Sequence, residues 1–260
     1  MNGIILSGGL GTRLSPLTDA VSKQLLPVYD KPMIYYSIST LMNFNIKKIL
    51  IITRPDHLES YKKLLGTGRQ FGIKIDYEIQ KSPKGIAESL IIAEEFIKNN
   101  KVLLILGDNI FYGLSYKFYK INSLKNDFGA RIFTYKVDNP SRYGVVQLEK
   151  NNVISIEEKP KKPKSNLVAT GMYLFDKNAV KYAKTLKPSK RGELEITDLN
   201  RIYLKKKKLK SLQLNEGSVW LDAGTFNSLL QASQYVQTIQ ERHNILVNHP
   251  YDIAKRKKWI

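Results

Sequence analysis

The chain contains no cysteine and only three histidines among its 260 residues. Disulfide bonds and thiolate metal sites are therefore excluded, and any bound metal must be held by oxygen or imidazole ligands. No apolar run approaches membrane-spanning length, and Met1 leads directly into a strand pattern rather than a signal peptide. We therefore expect a soluble, cytoplasmic protein without a membrane partner.

Acidic residues are also scarce, since 42 Lys and Arg face 23 Asp and Glu and leave a net charge of +19. Much of the excess lies in three lysine-rich runs, 159–164, 205–210 and 255–258, which are typical of solvated faces and loops. No helix-turn-helix, RNA-recognition or zinc-finger pattern accompanies the charge, so we expect no nucleic-acid partner. A phosphorylated small molecule is the better anionic ligand.

Strand and helix patterns alternate through the first half of the chain, which favours a doubly wound, mostly parallel sheet with helices on both faces. Apolar strands are predicted at Ile4–Leu6, Lys48–Thr53 and Val102–Leu106, and a helix at Ile86–Ile97. Pro32 suits the first position of a helix that continues to Met42. The second half changes to a hairpin turning at Asn151-Asn152 and further strands, which predicts a smaller mixed-sheet extension.

The first apolar strand runs into a glycine-rich turn, Ser7-Gly-Gly-Leu-Gly-Thr-Arg13. Glycines at 8, 9 and 11 let backbone N–H groups crowd around an anion. Arg13 and Lys23 add positive charge nearby, Arg13 through a planar guanidinium and Lys23 through a compact ammonium group. The spacing matches neither a P-loop nor a dinucleotide fingerprint. We interpret the segment as a phosphate-binding loop.

Two aspartates follow strand-like segments far apart in the sequence, Asp108 after Val102–Leu106 and Asp222 in Trp220-Leu-Asp222. Ligands of open α/β sheets bind beyond the carboxyl ends of strands, although a turn-forming or capping aspartate would look the same. Two carboxylates, in a chain that has no thiol ligands, suit a Mg²⁺ ion that is bound jointly by the protein and by phosphate oxygens.

Other polar residues are individually weak candidates. Glu158 could accept hydrogen bonds from sugar hydroxyls and Lys159 could hold a phosphate, although such pairs are usually exposed turns. Gln80 could read a nucleobase edge, yet a lone glutamine is usually a surface residue.

The order of these features resembles the bacterial sugar-1-phosphate nucleotidylyltransferases over essentially the whole chain. The motifs that carry the resemblance are Gly8-Gly-Leu-Gly-Thr-Arg-Leu14, Ser22-Lys-Gln-Leu-Leu-Pro-Val-Tyr-Asp-Lys-Pro-Met33, Leu106-Gly-Asp-Asn-Ile-Phe-Tyr-Gly113, Arg142-Tyr-Gly-Val-Val146, Ile156-Glu-Glu-Lys-Pro160, Arg191-Gly-Glu-Leu-Glu-Ile-Thr-Asp198 and Trp220-Leu-Asp222.

This resemblance implies a Rossmann-like nucleotidyltransferase fold in one domain, 1–260. It implies a nucleotide-binding half at about 1–130, a sugar-phosphate-binding half at about 131–240, and a C-terminal segment, 241–260, that lacks the family's tail. The implied reaction is Mg²⁺-dependent transfer of a thymidylyl group from dTTP to α-glucose 1-phosphate, and the implied assembly is a homo-oligomer.

Residue roles are also carried over from the resemblance. The nucleotide would be bound by Gly8, Gly9, Gly11, Thr12, Arg13, Lys23, Gln80 and Gly85. The sugar phosphate would be bound by Asn109, Tyr143, Gly144, Glu158, Lys159 and Ala169. Asp108 and Asp222 would hold the metal, and the catalytic groups would be Arg13, Lys23, Asp108 and Lys159.

Three alternatives stay open on the sequence. A uridylyltransferase or another sugar-1-phosphate nucleotidylyltransferase is the nearest, because Gln80 would read thymine and uracil through the same edge, and Lys84 departs from the family's usual Asp. A non-catalytic sugar-nucleotide-binding subunit would not need both metal carboxylates. A basic nucleic-acid-binding protein would show salt-sensitive binding to DNA or RNA.

Overall fold

The computed structural model describes residues 1–125 and 127–260, which contain thirteen β-strands and nine α-helices. The strands are β1 Asn2–Ser7, β2 Pro27–Val28, β3 Lys31–Pro32, β4 Lys48–Thr53, β5 Lys74–Ile79, β6 Val102–Leu106, β7 Asn109–Tyr112, β8 Ala130–Lys136, β9 Gly144–Glu149, β10 Asn152–Glu158, β11 Leu167–Phe175, β12 Leu209–Gln213 and β13 Val219–Asp222. The helices are α1 Ile34–Asn43, α2 Leu58–Leu65, α3 Glu88–Ile92, α4 Glu94–Ile97, α5 Tyr116–Tyr119, α6 Ala179–Ala183, α7 Ile196–Lys205, α8 Phe226–His243 and α9 Pro250–Arg256.

The chain forms two compact units, each assembled from separated segments. Unit 1 comprises Met1–Pro83, Ile105–Ser123 and Gly217–Ile260. Unit 2 comprises Lys84–Leu104 and Leu124–Glu216. The predicted division of a single domain near residue 130 stays a prediction.

In unit 1 the strands β1, β4 and β5 run parallel with their carboxyl ends in line. Ser7 pairs with Thr53, and Thr53 pairs with Ile79. Gly107, just after β6, donates its N–H to the Leu6 carbonyl at 2.9 Å. The loops that begin at residues 8, 80 and 107 therefore leave the same edge, where ligands bind in parallel sheets.

A second part of unit 1 supports the strand pair β7–β13. A buried cluster joins it to the β2–β3 hairpin and to α8, with members Val28, Met33, Tyr36, Ile110, Ala223, Ala232, Val236 and Val247. Each large apolar side chain buried there stabilises the unit by about 1.5–3 kcal/mol. The α8 helix begins at a capping box, in which Thr225 and Ser228 exchange hydrogen bonds. The register of Asp222 opposite Asn109 is fixed by this packing.

Unit 2 carries a mixed sheet. β8, β9, β10 and β11 pair antiparallel, and β12 pairs parallel with β8. β11 is buried along its whole length, and its pairing with β8 shifts register between Ala169 and Tyr173.

The predicted α/β fold with a mostly parallel sheet and a mixed extension is confirmed. No helix of the described residues has the length and apolar character needed to cross a bilayer.

Three local predictions were wrong. Pro32 ends the strand β3, and α1 begins two residues later at Ile34. The predicted helix Ile86–Ile97 is interrupted at Ala93, so α3 and α4 are separate short helices. The hairpin turns at Lys150 and Asn151, both with positive φ, and Asn152 already belongs to β10. The apolar periods of the two helical segments did not fix the residue at which a helix begins or is interrupted, and the hairpin turn lies one residue earlier than predicted.

Candidate active site

The glycine turn of unit 1 lies directly against Gln80. A Cβ placed on Gly8 would stand 2.1 Å from the Gln80 Oε1, closer than any real contact. Gln80 is only 2% exposed, and its backbone N–H donates to the Thr53 carbonyl at 2.8 Å. The glutamine that sequence alone favours as a surface residue is thus a buried wall of the turn. The structure brings together the predicted phosphate loop and the predicted base reader.

The remainder of the turn is largely exposed. Gly9, Thr12 and Arg13 are exposed, and Gly11 has a φ of 71° in the left-handed region. The Thr18 hydroxyl donates to the Gly11 carbonyl at 2.9 Å and packs beneath that glycine. A residue with a side chain at position 11 would be strained in this conformation.

Lys23 and Asp108 form an ion pair at the same edge of unit 1. The Lys23 ammonium donates to Asp108 Oδ2, and the two side chains are only 10% and 16% exposed. The Asn109 amide donates to Asp108 Oδ1 at 2.9 Å. Burial by itself raises the pKa of the Asp108 carboxyl, but the Lys23 charge and these hydrogen bonds outweigh it, so the pKa is lowered. Asp108 is therefore a carboxylate at neutral pH.

Asp222 lies next to this pair on the neighbouring strand. It faces Asn109 in the β13–β7 register, and the Ala223 N–H donates to the Asp108 carbonyl at 3.1 Å. The indole of Trp220 donates to the Asn109 side-chain oxygen at 2.5 Å. The two aspartates, 114 positions apart in the sequence, are thus neighbours in space. Asn109, a predicted sugar-phosphate ligand, here supports Asp108.

Arg13 reaches the Asp222 side of the site. A Cβ on Gly224 would lie 2.7 Å from Arg13 Nη2 and 2.8 Å from Asp222 Oδ1. Both side chains therefore approach the same point above Gly224, which only a glycine leaves open. Within unit 1, the Lys23 ammonium thus lies beside the Asp108 carboxylate, and the Arg13 guanidinium lies on the same side of Gly224 as the Asp222 carboxylate.

The donor set fits a hard cation that is shared with a ligand. Among residues 1–125 and 127–260 no group of three or more His, Asp or Glu side chains is placed to hold a metal without other ligands. Mg²⁺ is commonly bound by one or two carboxylates, with substrate phosphates and water completing six oxygen ligands. Asp108 and Asp222 match this chemistry.

Unit 2 gathers a different group of predicted residues around Glu158. Gly144 pairs with Glu158 across the β9–β10 hairpin. A Cβ on Gly144 would lie 3.6 Å from Glu158 Oε2 and 3.9 Å from the Ala169 Cβ. The Thr197 hydroxyl donates to the same Glu158 oxygen at 2.5 Å. These residues form one wall around the Glu158 carboxylate.

Lys159 and Tyr143 border this wall. Lys159 has a φ of 43°, and its N–H donates to the Tyr143 carbonyl at 3.0 Å. Its ammonium lies 3.8 Å from Glu158 Oε1 and its side chain is 46% exposed. The lysine can therefore turn toward a phosphate at little cost, since exposed ion pairs contribute little to stability.

Arg191 and Thr197 both lie beside Glu158, and the sequence suggested no role for either. The Arg191 guanidinium contacts Glu195 at 2.9 Å and lies 3.8 Å from Glu158 Oε1. Burial lowers the pKa of Arg191, but hydrogen bonding and the charges of Glu195, Glu193 and Glu158 raise it above its ordinary value. The signal that could have revealed them is the dense run of charges from Arg191 to Asp198.

Gly85 belongs to unit 2, whereas the other predicted nucleotide-binding residues belong to unit 1. Its φ is 102°, and a Cβ there would stand 2.4 Å from the Leu194 carbonyl oxygen. The neighbouring backbone is held by a hydrogen bond from the Leu194 N–H to the Lys84 carbonyl at 2.7 Å. The glycine is required for this close approach, and its role toward the base stays a prediction.

Comparison with known proteins agrees with the predicted family. A family model described as nucleotidyl transferase matches residues 2–239. A curated glucose-1-phosphate thymidylyltransferase of Neisseria meningitidis (serogroup A / serotype 4A) is 52% identical over 261 residues, covering 100% of this chain and 91% of that protein. A protein of the same name from Mycobacterium tuberculosis H37Rv is 46% identical over 263 residues, covering 100% and 90%.

Solved structures agree as well. A structure described as a glucose-1-phosphate thymidylyltransferase from Bacillus anthracis in complex with sucrose superposes with a TM-score of 0.84 at 42% identity, over 90% of this chain and 94% of that one. A UDP-glucose pyrophosphorylase bound to UDP-glucose has a TM-score of 0.79 at 24% identity, over 91% and 98%, and shares the fold. This chain therefore belongs to the nucleotidyl transferase family and is a nucleotidyltransferase with a Rossmann-like α/β fold.

Proposed function

We propose that this enzyme transfers the thymidylyl group of dTTP to α-D-glucose 1-phosphate, which gives dTDP-glucose and pyrophosphate, the first step of dTDP-deoxysugar synthesis such as that of dTDP-rhamnose. The observation that carries the proposal is the 44–52% identity, over 99–100% of this chain, to curated relatives named for that activity. The two charged clusters of the structure support it, because each contains groups of the kind that one of the two substrates needs.

The chemistry needs no general base. A phosphate oxygen of glucose 1-phosphate, already anionic, attacks the α-phosphorus of dTTP, and the bond from that phosphorus to the β-phosphate oxygen breaks. The difficulty is to bring two polyanions together and to stabilise the charge on departing pyrophosphate. Positioning and electrostatics therefore supply the catalysis.

Roles follow from the placement of the charges. The backbone at Gly8, Gly9, Gly11 and Thr12 would bind the triphosphate, while Arg13 and Lys23 neutralise the pyrophosphate as it leaves. Gln80 and Gly85 would read the base. Asp108 and Asp222 would hold Mg²⁺, which supplies Lewis-acid polarisation of the α-phosphate when bound.

In unit 2, Lys159 would orient the attacking phosphate, and Arg191 offers a second cation beside it. Glu158, Tyr143, Gly144 and Ala169 would receive the sugar. Asn109 would bind the sugar phosphate as well as supporting Asp108. A cytoplasmic location and a homo-oligomeric assembly stay predictions, the second of which sedimentation would decide.

The proposal is tested by supplying dTTP, UTP, ATP, GTP and CTP against several sugar 1-phosphates with Mg²⁺ and following pyrophosphate release. We expect the highest kcat/KM with dTTP and glucose 1-phosphate. A clear preference for UTP would replace the thymidylyltransferase by the uridylyltransferase alternative. Binding of sugar nucleotides without pyrophosphate release from any pair would indicate the non-catalytic subunit.

Gly8→Ala should raise the KM for dTTP about tenfold. The new methyl group would collide with the Gln80 amide, so Gln80 would have to leave the position from which we propose that it reads the base. Steady-state kinetics with each substrate varied would measure the effect. Leu10→Ala is the control, because Leu10 is exposed in the same turn and has no proposed role. An unchanged KM for dTTP in Gly8→Ala would contradict the placement of the base beside this glycine.

Thr197→Val should raise the KM for glucose 1-phosphate about tenfold and leave the KM for dTTP unchanged. Valine keeps the shape of threonine but removes the hydroxyl that orients Glu158, a hydrogen bond to a charged group worth about 1.5–3 kcal/mol. Thr185→Val is the matched control, since that hydroxyl donates only to a local carbonyl at the surface. Equal changes in both KM values would argue for a general loss of structure.

A further inference from the structure

Buried neighbours on both sides hold the backbone of Lys23. The residues on either side are buried, and the Ser22 hydroxyl lies 2.8 Å from the Tyr61 hydroxyl. Tyr61 also donates to the Gln24 side-chain oxygen at 3.3 Å. Burial raises the pKa of this tyrosine to about 12, so it remains a neutral hydroxyl. The backbone of Lys23 is thus fixed on both sides.

The ammonium of Lys23 occupies one oxygen of a proposed metal ligand. It pairs with Asp108 Oδ2, while the Asn109 amide takes Oδ1. Arg13 similarly approaches Asp222 beside Gly224. A divalent cation that binds to Asp108 and Asp222 without nucleotide would lie close to the positive charges of Lys23 and Arg13. Like charges in direct proximity repel each other.

The triphosphate offers Lys23 another partner. Lys23 begins a single 3₁₀ turn, and Gln24 packs against Gly107, where a Cβ would lie 2.9 Å from Gln24 Cγ and 2.5 Å from Ser7 Oγ. Ser7 immediately precedes the glycine turn. The backbone of Lys23 therefore lies at the edge of the sheet where the phosphates would bind, and its side chain is a flexible four-carbon stem.

We propose that Lys23 is an exchangeable counter-ion, which neutralises Asp108 while the phosphate loop is empty and moves to the phosphate oxygens when nucleotide binds. Asp108 then becomes available to a divalent cation only together with the nucleotide. The inference rests on the proposed function and adds to it an order of events: metal and nucleotide bind cooperatively, and metal alone binds weakly. By linkage the same coupling must raise nucleotide affinity when metal is present.

The test is a titration of the folded protein with Mn²⁺ alone, in which electron paramagnetic resonance reports the free ion. We expect Lys23→Met to bind Mn²⁺ at least tenfold more tightly than the unaltered protein. Lys23→Gln, which keeps a donor but no charge, should bind more tightly too. Adding Asp108→Asn to Lys23→Met should abolish the gain. Thermal unfolding verifies that each variant is folded.

Lys31→Met is the matched control. Lys31 is also buried and also pairs with an aspartate, Asp30, at 2.6 Å, but neither residue has a role in the proposed site. We expect no tighter Mn²⁺ binding in this variant. An equal gain in Lys31→Met would show that net charge alone is responsible and would overturn the proposal.

Addition of dTTP distinguishes a Lys23 side chain that moves to the nucleotide from one that stays paired with Asp108. The gain in Mn²⁺ affinity caused by dTTP, corrected for Mn²⁺ bound by dTTP in solution, should be smaller in Lys23→Met than in the unaltered protein. Equal gains, or folded Lys23 variants that bind Mn²⁺ no more tightly, would overturn the proposal. Absence of nucleotidyl transfer in the unaltered protein would instead overturn the proposed function, and the Mn²⁺ titration would remain interpretable.

Discussion

Asp108→Asn is expected to lower turnover by at least about a hundredfold. Asparagine has the same shape, so the change removes the negative charge while the packing of β7 against β13 is kept. Removal of one preorganised charge contact typically costs about 10²–10³ in kcat, and Asp108 is the carboxylate that would hold the metal once nucleotide is bound. Pyrophosphate release at saturating dTTP and glucose 1-phosphate measures the loss.

Asp30→Asn is the control for this substitution. Asp30 is likewise a carboxylate paired with a lysine in unit 1, but it lies on the turn between β2 and β3. We expect its turnover to stay within about twofold of the unaltered enzyme. Turnover of Asp108→Asn near that level would remove Asp108 from the mechanism. Partial recovery of the variant at high Mg²⁺ would identify metal affinity as the quantity lost.

The edge of unit 1 that carries the candidate site could be predicted from local pattern alone. The runs Ile4–Leu6 and Val102–Leu106 are short and apolar, and glycine follows the first after one serine and the second at once, which is typical of buried parallel strands that end at a binding edge. The observed register places the ends of β1, β4 and β5 in line. The phosphate loop and Asp108 needed no long-range information, because each follows directly from the end of a strand.

Asp222 could not be placed beside Asp108 by that reasoning. Its position depends on the pairing of β13 with β7, two strands separated by more than a hundred residues. Such pairing is decided by the packing of the unit around Ile110, Ala223 and Val236, which no periodicity reveals. Residue type alone therefore suggested both aspartates as ligands of a shared Mg²⁺, but only the resemblance to a family implied that they lie close together.

Arg191 and Thr197 show a different limit. Both lie in a motif that carries the resemblance, yet their chemistry depends on which carboxylates they meet. Arg191 is surrounded by Glu158, Glu193 and Glu195, and Glu158 comes from a hairpin more than thirty residues earlier. Hydrogen-bond partners that are distant in sequence are fixed by tertiary structure, so residue type and spacing alone gave no role to either side chain.

Lys23→Ala is expected to lower turnover by at least about a hundredfold, for a reason that can be separated from that of Asp108→Asn. Truncation removes the charge that would neutralise departing pyrophosphate, and it leaves the buried Asp108 carboxylate without its cationic partner. We expect the KM for pyrophosphate in the reverse reaction to rise by about tenfold or more. Rates of dTDP-glucose synthesis and of pyrophosphorolysis together measure both effects.

The double variant Lys23→Ala/Asp108→Asn decides whether the two residues act as one unit. Residues in direct contact give non-additive effects, and groups that share one task lose little more when both are removed. We therefore expect the double variant to lose much less than the product of the two single losses, on the order of 10³ rather than 10⁴. Lys31→Ala combined with Asp108→Asn is the matched comparison, because Lys31 pairs with a different aspartate and its effect should simply multiply. Full multiplicativity of the Lys23 and Asp108 losses would show that the two residues act independently of each other in the reaction.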